Sequence, residues 1–164
     1  MADMGFRVGV EVGVQYGGSA EMFCTVNPQL HLTCIDPYLP YPRLNRRSPK
    51  PATFEDASKF LSRFNVTMVK KKSMEVVDSF RDGSLDFVHI DADHSFDCAM
   101  QDFIGWVPKV RKGGLILGHD YFAINWGGVT QAVQAYLFAH HITEWWVTAD
   151  VSPTVFWQRG DDRE

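Results

Sequence analysis

The chain has 164 residues, 45% of them hydrophobic and 22% charged, with a formal net charge of −4. That length suits one domain with a sizeable core, and the acidic balance argues against general affinity for nucleic acid or an anionic membrane. No apolar run nears the roughly 20 residues that span a bilayer, Cys24, Cys34 and Cys98 lack metal-ligand spacing, and no leader pattern opens the chain, so a soluble protein of the reducing cytoplasm is expected.

Residues 6–12, 31–35, 66–70, 86–90 and 115–118 read as strands, separated by helical patterns at 19–26, 53–64, 73–80 and 95–110. Alternation of this kind predicts an α/β protein with a mostly parallel sheet and helices on both faces. Thr53 with Asp56 resembles a capping box, and Ser95 is placed to cap the helix that follows it. Residues 129–140 read as a further helix. The aromatic segments 144–149 and 154–158 face each other across a short connection, which predicts a C-terminal antiparallel hairpin and seven strands in all. One domain over residues 1–164 is expected.

The first strand runs through Glu11 into a turn with glycines at 13, 17 and 18, then Ser19 and a helix start. Bare backbone and free N–H groups at a helix start accept a ligand closely. The dinucleotide spacing G-x-G-x-x-G is absent, so a nicotinamide cofactor is disfavoured. The acid Glu11 ahead of the loop suits a ligand with a cationic amine, which suggests S-adenosylmethionine.

Ligands of open α/β sheets bind beyond the carboxyl ends of the strands. The second strand ends in Asp36-Pro37, a carboxylate 25 positions after Glu11 that could accept bonds from a ribose diol. Ser73, after the third strand, reads either as an adenine contact or as a helix cap, and the two are compatible. The fourth strand ends in Asp91-Ala92-Asp93-His94-Ser95 and the fifth in His119-Asp120-Tyr121. These acid and imidazole groups suffice to hold a divalent cation or to run acid–base chemistry. His89 lies inside a strand and reads as a hydrogen-bonded core residue.

Together these motifs resemble the class I S-adenosylmethionine-dependent methyltransferases from about residue 8 to 129, with the Rossmann-like fold of that class. Glu11-Val12-Gly13 with Gly17-Gly18-Ser19, the segment Val88 to Phe96, Gly113-Gly114-Leu115 and His119-Asp120-Tyr121 are similar to small-molecule and sugar O-methyltransferases. Asp91, the pair His119-Asp120 and Trp126-Gly127-Gly128-Val129 are also similar to the catechol and caffeoyl-CoA group. The resemblance implies that Glu11, Gly13, Gln15, Gly17 and Ser19 frame the methionine portion of S-adenosyl-L-methionine. It places Asp36 and Pro37 at the ribose, Ser73 and Met74 at the adenine, and Asp91 and His94 beside the cofactor. It further implies a divalent metal (Mg, Mn or another) on Asp91, His119 and Asp120, with Asp93 or His94 as the base.

Two departures from that pattern bear on the reading. His119 stands where the group has a carboxylate, and imidazole is a poor ligand for magnesium but a good one for zinc, iron or manganese-like ions. The first strand also opens close to residue 1, where relatives carry helices over the acceptor pocket. Residues 37–52, with five prolines and Arg43, Arg46, Arg47 and Lys50, are the candidate cover and a candidate clamp for an anionic acceptor. The leading expectation is O-methylation of a small hydroxylated acceptor, metal-assisted or not. The alternative is a non-catalytic cofactor-binding or partner-binding module. No nucleic-acid or membrane partner is expected, and homo-oligomerisation is left open.

Overall fold

The computed structural model describes residues 2–39, 52–122 and 128–160. The proposed cover cations Arg43, Arg46, Arg47 and Lys50, and the Trp126-Gly127 turn, lie outside the described residues. Five parallel strands, β1 (Val8–Val12), β2 (His31–Ile35), β3 (Val66–Val69), β4 (Leu85–Ile90) and β5 (Val110–Gly118), are joined by α1 (Gly18–Val26), α2 (Phe54–Leu61) and α3 (Phe96–Trp106). Helix α4 (Gly128–Ala139) leads to the antiparallel pair β6 (Trp146–Val147) and β7 (Val155–Gln158). The seven strands stand in the order β3-β2-β1-β4-β5-β7-β6, with β7 antiparallel to β5. The order reverses between β1 and β4, which opens a crevice at their carboxyl ends.

Alternation along the strands divides the core between the two faces of the sheet. Val10, Val12, Val88, Ile90 and Ile116 pack with Phe103 and Trp106 of α3 and Val133, Tyr136 and Leu137 of α4. Leu32, Cys34 and Phe87 pack with Ala20 and Phe23 of α1 and Leu61 of α2. All three cysteines are free. No helix among the described residues is long and apolar enough to cross a membrane.

Several elements differ from the sequence reading for local reasons. The first strand starts at Val8, because the N–H groups of Arg7 and Val8 donate to the Asp86 carboxylate at 2.6 and 2.9 Å instead of joining a ladder. Residues 73–80, expected as one helix, form two 3₁₀ turns, Ser73–Glu75 and Val77–Ser79. Met74 and Val77 within them, and Phe80 just after the second, recur every third position, the period of a 3₁₀ turn. Strand β5 begins five residues early, since a register shift between Leu85 and Phe87 absorbs the Arg111–Gly114 stretch that looks like a turn. Helix α3 gives way to a 3₁₀ turn containing Pro108. Thr53 does accept from Asp56 N at 3.1 Å, whereas Ser95 makes no side-chain cap; Asp93 Oδ1 accepts its N–H instead, at 2.8 Å.

Candidate active site

The sheet ladder continues past the strand ends and sets the site's floor. Gly13 N donates to Ile35 O at 2.9 Å, Asp91 N to Val12 O at 2.8 Å and His119 N to Ile90 O at 2.9 Å. The glycine loop therefore lies directly against the end of β4. Gly13 has φ 87°, and a Cβ there would stand 2.0 Å from Asp91 O, so no other residue fits. Gly17, at φ 86°, turns the chain into α1, and its carbonyl accepts from Glu21 N at 2.9 Å. Gln15 also takes a positive φ, of 51°, and Ser19 lies half-buried in the first turn of α1.

Asp36 holds this loop in place. Its Oδ2 accepts from Val14 N at 2.9 Å and Gln15 N at 3.0 Å, and its Oδ1 accepts from Tyr38 N at 2.7 Å. A carboxylate has about four acceptor positions. Three are used by backbone, which leaves room for one ribose hydroxyl and not for both. Pro37 continues the turn at half-burial.

Glu11 is placed differently from the sequence expectation. Strand alternation sends its side chain to the α1 face of the sheet, where it is 1% exposed, its Oε1 lies 3.4 Å from His89 Nδ1 and its Oε2 accepts from Cys34 Sγ at 3.7 Å. Burial raises its pKa. It sits beneath the loop, within the sheet layer, away from the loop's outer surface. His89 is core, as expected, with Phe23 edge-on to its ring.

At the ends of β4 and β5 four groups converge. His94 Nε2 lies 3.4 Å from Asp91 Oδ1 and 3.6 Å from Asp120 Oδ2, and His119 Nδ1 lies 3.4 Å from Asp91 Oδ1 and 3.6 Å from Asp120 Oδ1. Asp120 takes φ 57°, which an aspartate tolerates and which turns its carboxylate back toward both imidazoles. Burial acts to raise the pKa of Asp91, but the two imidazoles outweigh it and hold that carboxyl well below the usual range. Burial acts to lower His94, and Asp91, Asp120 and Asp93 overcome it, so its pKa rises. His119 is raised chiefly by its contact with Asp91. One ligand atom from each of Asp91, His94 and Asp120 falls within a 4.8 Å cluster. His94, expected as the base, thus stands among the metal-capable groups, while His119 approaches the same two carboxylates.

Ser73 and Met74 stand at the carboxyl end of β3, half-buried and exposed respectively. The Ser73 hydroxyl donates to Asp102 Oδ1 at 2.5 Å and accepts from Trp106 Nε1 at 2.6 Å. The sequence reading passed over Asp102, although its signal is present: it falls in the helical stripe Ala99, Phe103, Trp106 that faces the core. It also passed over an aromatic flank beyond Asp120. There Tyr121, fully buried, packs against the exposed Phe122 at 4.4 Å and Trp145 at 5.9 Å between ring centres.

A methyltransferase-domain family matches residues 10–121, about two thirds of the chain, and covers every element that builds this crevice. The chain belongs to that family. Its architecture is that of a class I S-adenosylmethionine-dependent methyltransferase domain. Among solved structures it resembles the O-methyltransferase NovP, at 20% identity and TM-score 0.74, over 94% of this chain and 72% of that one. It also resembles the O-methyltransferase TomG from Streptomyces achromogenes, solved in complex with SAM. The identity there is 16% and the TM-score 0.67, over 94% of this chain and 74% of that one. A curated relative, the uncharacterized protein y4gI of Sinorhizobium fredii, is 32% identical over 53 residues. That stretch is 32% of this chain and only 6% of the relative's length.

Proposed function

We propose that this protein transfers the methyl group of S-adenosylmethionine to a hydroxyl of a small acceptor, with Asp91, His94 and Asp120 holding a divalent ion beside it. The observation that carries the reading is the convergence of two carboxylates and two imidazoles at the edge of the glycine-loop crevice. The donor chemistry fits an ion. Single ligand atoms of Asp91, His94 and Asp120 lie within 4.8 Å of one another, and two carboxylates with imidazole suit manganese, iron or zinc better than magnesium. Fold similarity to NovP and TomG, both named as O-methyltransferases, supports oxygen as the acceptor atom.

When bound, the sulfonium cofactor supplies an activated methyl for a single in-line displacement, so no protein nucleophile is required. The glycine loop and the start of α1 frame its methionine end, with Gly13, Gln15, Gly17 and Ser19 lining that loop and Glu11 supporting it from below. Asp36 receives one ribose hydroxyl through its remaining acceptor position, next to Pro37. Ser73 and Met74 border the adenine. A divalent ion on Asp91, His94 and Asp120 would lower the pKa of an acceptor hydroxyl and orient it. Nε2 of His94 lies near both carboxylates, and in this reading either Asp93, half-exposed beside it, or His94 itself takes the acceptor's proton. Phe122 and Trp145 offer an apolar flank for the body of the acceptor.

The test is formation of S-adenosylhomocysteine and methylated product across small hydroxylated acceptors, anionic ones included, with metal content measured on the same samples. Turnover that needs a divalent ion supports the reading. Full turnover in metal-free protein removes the ion and leaves deprotonation to Asp93 or His94. Cofactor binding without turnover on any acceptor would favour a binding module.

A further inference from the structure

Helix α3 buries Ala99, Asp102, Phe103 and Trp106 against the sheet, so Asp102 is an acid in a core stripe. It is 4% exposed, and buried aspartates ordinarily have a paired cation. Here the hydrogen-bond partner is the Ser73 hydroxyl. Burial, helped by the charge of Asp93, pushes its carboxyl up to about 6. An apolar residue would avoid that cost, so the carboxylate calls for a reason beyond packing.

The arrangement at Ser73 supplies one. A hydroxyl has one proton and two lone pairs. The Ser73 proton goes to Asp102 at 2.5 Å, and one lone pair receives Trp106 Nε1 at 2.6 Å. What remains is a single lone pair on a half-buried side chain, at the same sheet edge as Asp36, whose N–H donates to Val69 O of β3. Ser73 therefore meets a ligand as an acceptor only. We propose that Asp102 is a positioning residue that fixes this polarity, so that Ser73 selects the 6-amino group of adenine over a 6-oxo purine. The proposal rests on the cofactor reading above. An amino group donates to the free lone pair; a 6-oxo group would set lone pair against lone pair.

The experiment compares the Kd of S-adenosylhomocysteine and S-inosylhomocysteine on the full chain by calorimetry, with folding checked by thermal melting. Wild-type protein should prefer the adenine form by at least about tenfold. Asp102→Asn keeps an oxygen acceptor for Ser73 and should keep the preference. Asp102→Ala frees the hydroxyl to donate, and Ser73→Ala removes it; each should bring the two ligands to within about threefold. Equal binding of both ligands by wild type, or an unchanged preference in a folded Asp102→Ala protein, overturns the proposal. If Asp102→Ala does not fold, Ser73→Ala decides, and a retained preference there overturns it equally. Wild-type protein that binds neither ligand would refute the cofactor reading itself together with this refinement of it.

Discussion

Replacing Asp36 with alanine removes three backbone hydrogen bonds at once, those from Val14, Gln15 and Tyr38. Hydrogen bonds to a charged acceptor contribute about 1.5–3 kcal/mol each when isolated. Gln15 is exposed, so water recovers part of the loss, and a net cost of about 3 kcal/mol is expected. For a chain of this length that lowers Tm by about 6–12 °C. Affinity for S-adenosylhomocysteine should fall as well, by about 1–3 kcal/mol for the ribose contact, and further because Gln15 loses the bond that helps hold its positive φ. Asp36→Asn retains one acceptor oxygen and should lose about half as much stability. Differential scanning calorimetry and a cofactor titration on both variants check this. An Asp36→Ala protein melting within about 2 °C of wild type would refute the loop-holding role, even if its cofactor affinity dropped.

Gly13→Ala places a Cβ against Asp91 O at a positive φ; it should abolish cofactor binding and cost upward of about 2 kcal/mol in urea unfolding, and a silent substitution would mean that the loop does not pack on β4. Chelation should stop methyl transfer while leaving S-adenosylhomocysteine affinity within about twofold, and Asp120→Ala should match it, with metal content falling in parallel on the same samples. Burial pushes the Asp102 carboxyl from its ordinary value near 4 up to about 6 in the folded protein, so the folded state keeps its proton longer than the unfolded chain. Its contribution therefore favours the fold at low pH and declines as pH rises from about 4 through 6, by about 3 kcal/mol in total. Relative to wild type, Asp102→Asn should gain stability across that window in urea titrations; parallel pH profiles would show that Asp102 titrates normally.

The frame of the site was legible because its signals are local. Strand-ending acids at Asp36, Asp91 and Asp120, and glycines where the chain must turn, announce themselves through neighbours in sequence, and short apolar runs located β1, β2 and β4 well. What escaped depends on orientation. Glu11 stands one position from Val10 and Val12, whose side chains face α3 and α4, and pattern alone does not say that its own side chain faces α1. His94 reads as a base from its place after Asp91. Its approach to Asp120 as well brings in a second strand end, where Asp120 takes a left-handed backbone. Asp102 looks like one more helix-surface acid until the stripe Ala99, Phe103, Trp106 is traced through it. The helix expected over 73–80 failed where a tertiary partner, Asp102 with Trp106, took the Ser73 hydroxyl and short three-residue turns replaced the regular period.

The central claim is that the crevice between the glycine loop and Asp91 takes an S-adenosyl ligand and no dinucleotide. Isothermal calorimetry of the full chain against S-adenosylhomocysteine and against NAD tests it most directly. The account predicts low-micromolar to sub-millimolar binding of S-adenosylhomocysteine, on the order of 5 to 8 kcal/mol, that NAD does not compete away. Tight binding of NAD with no heat from S-adenosylhomocysteine would contradict it.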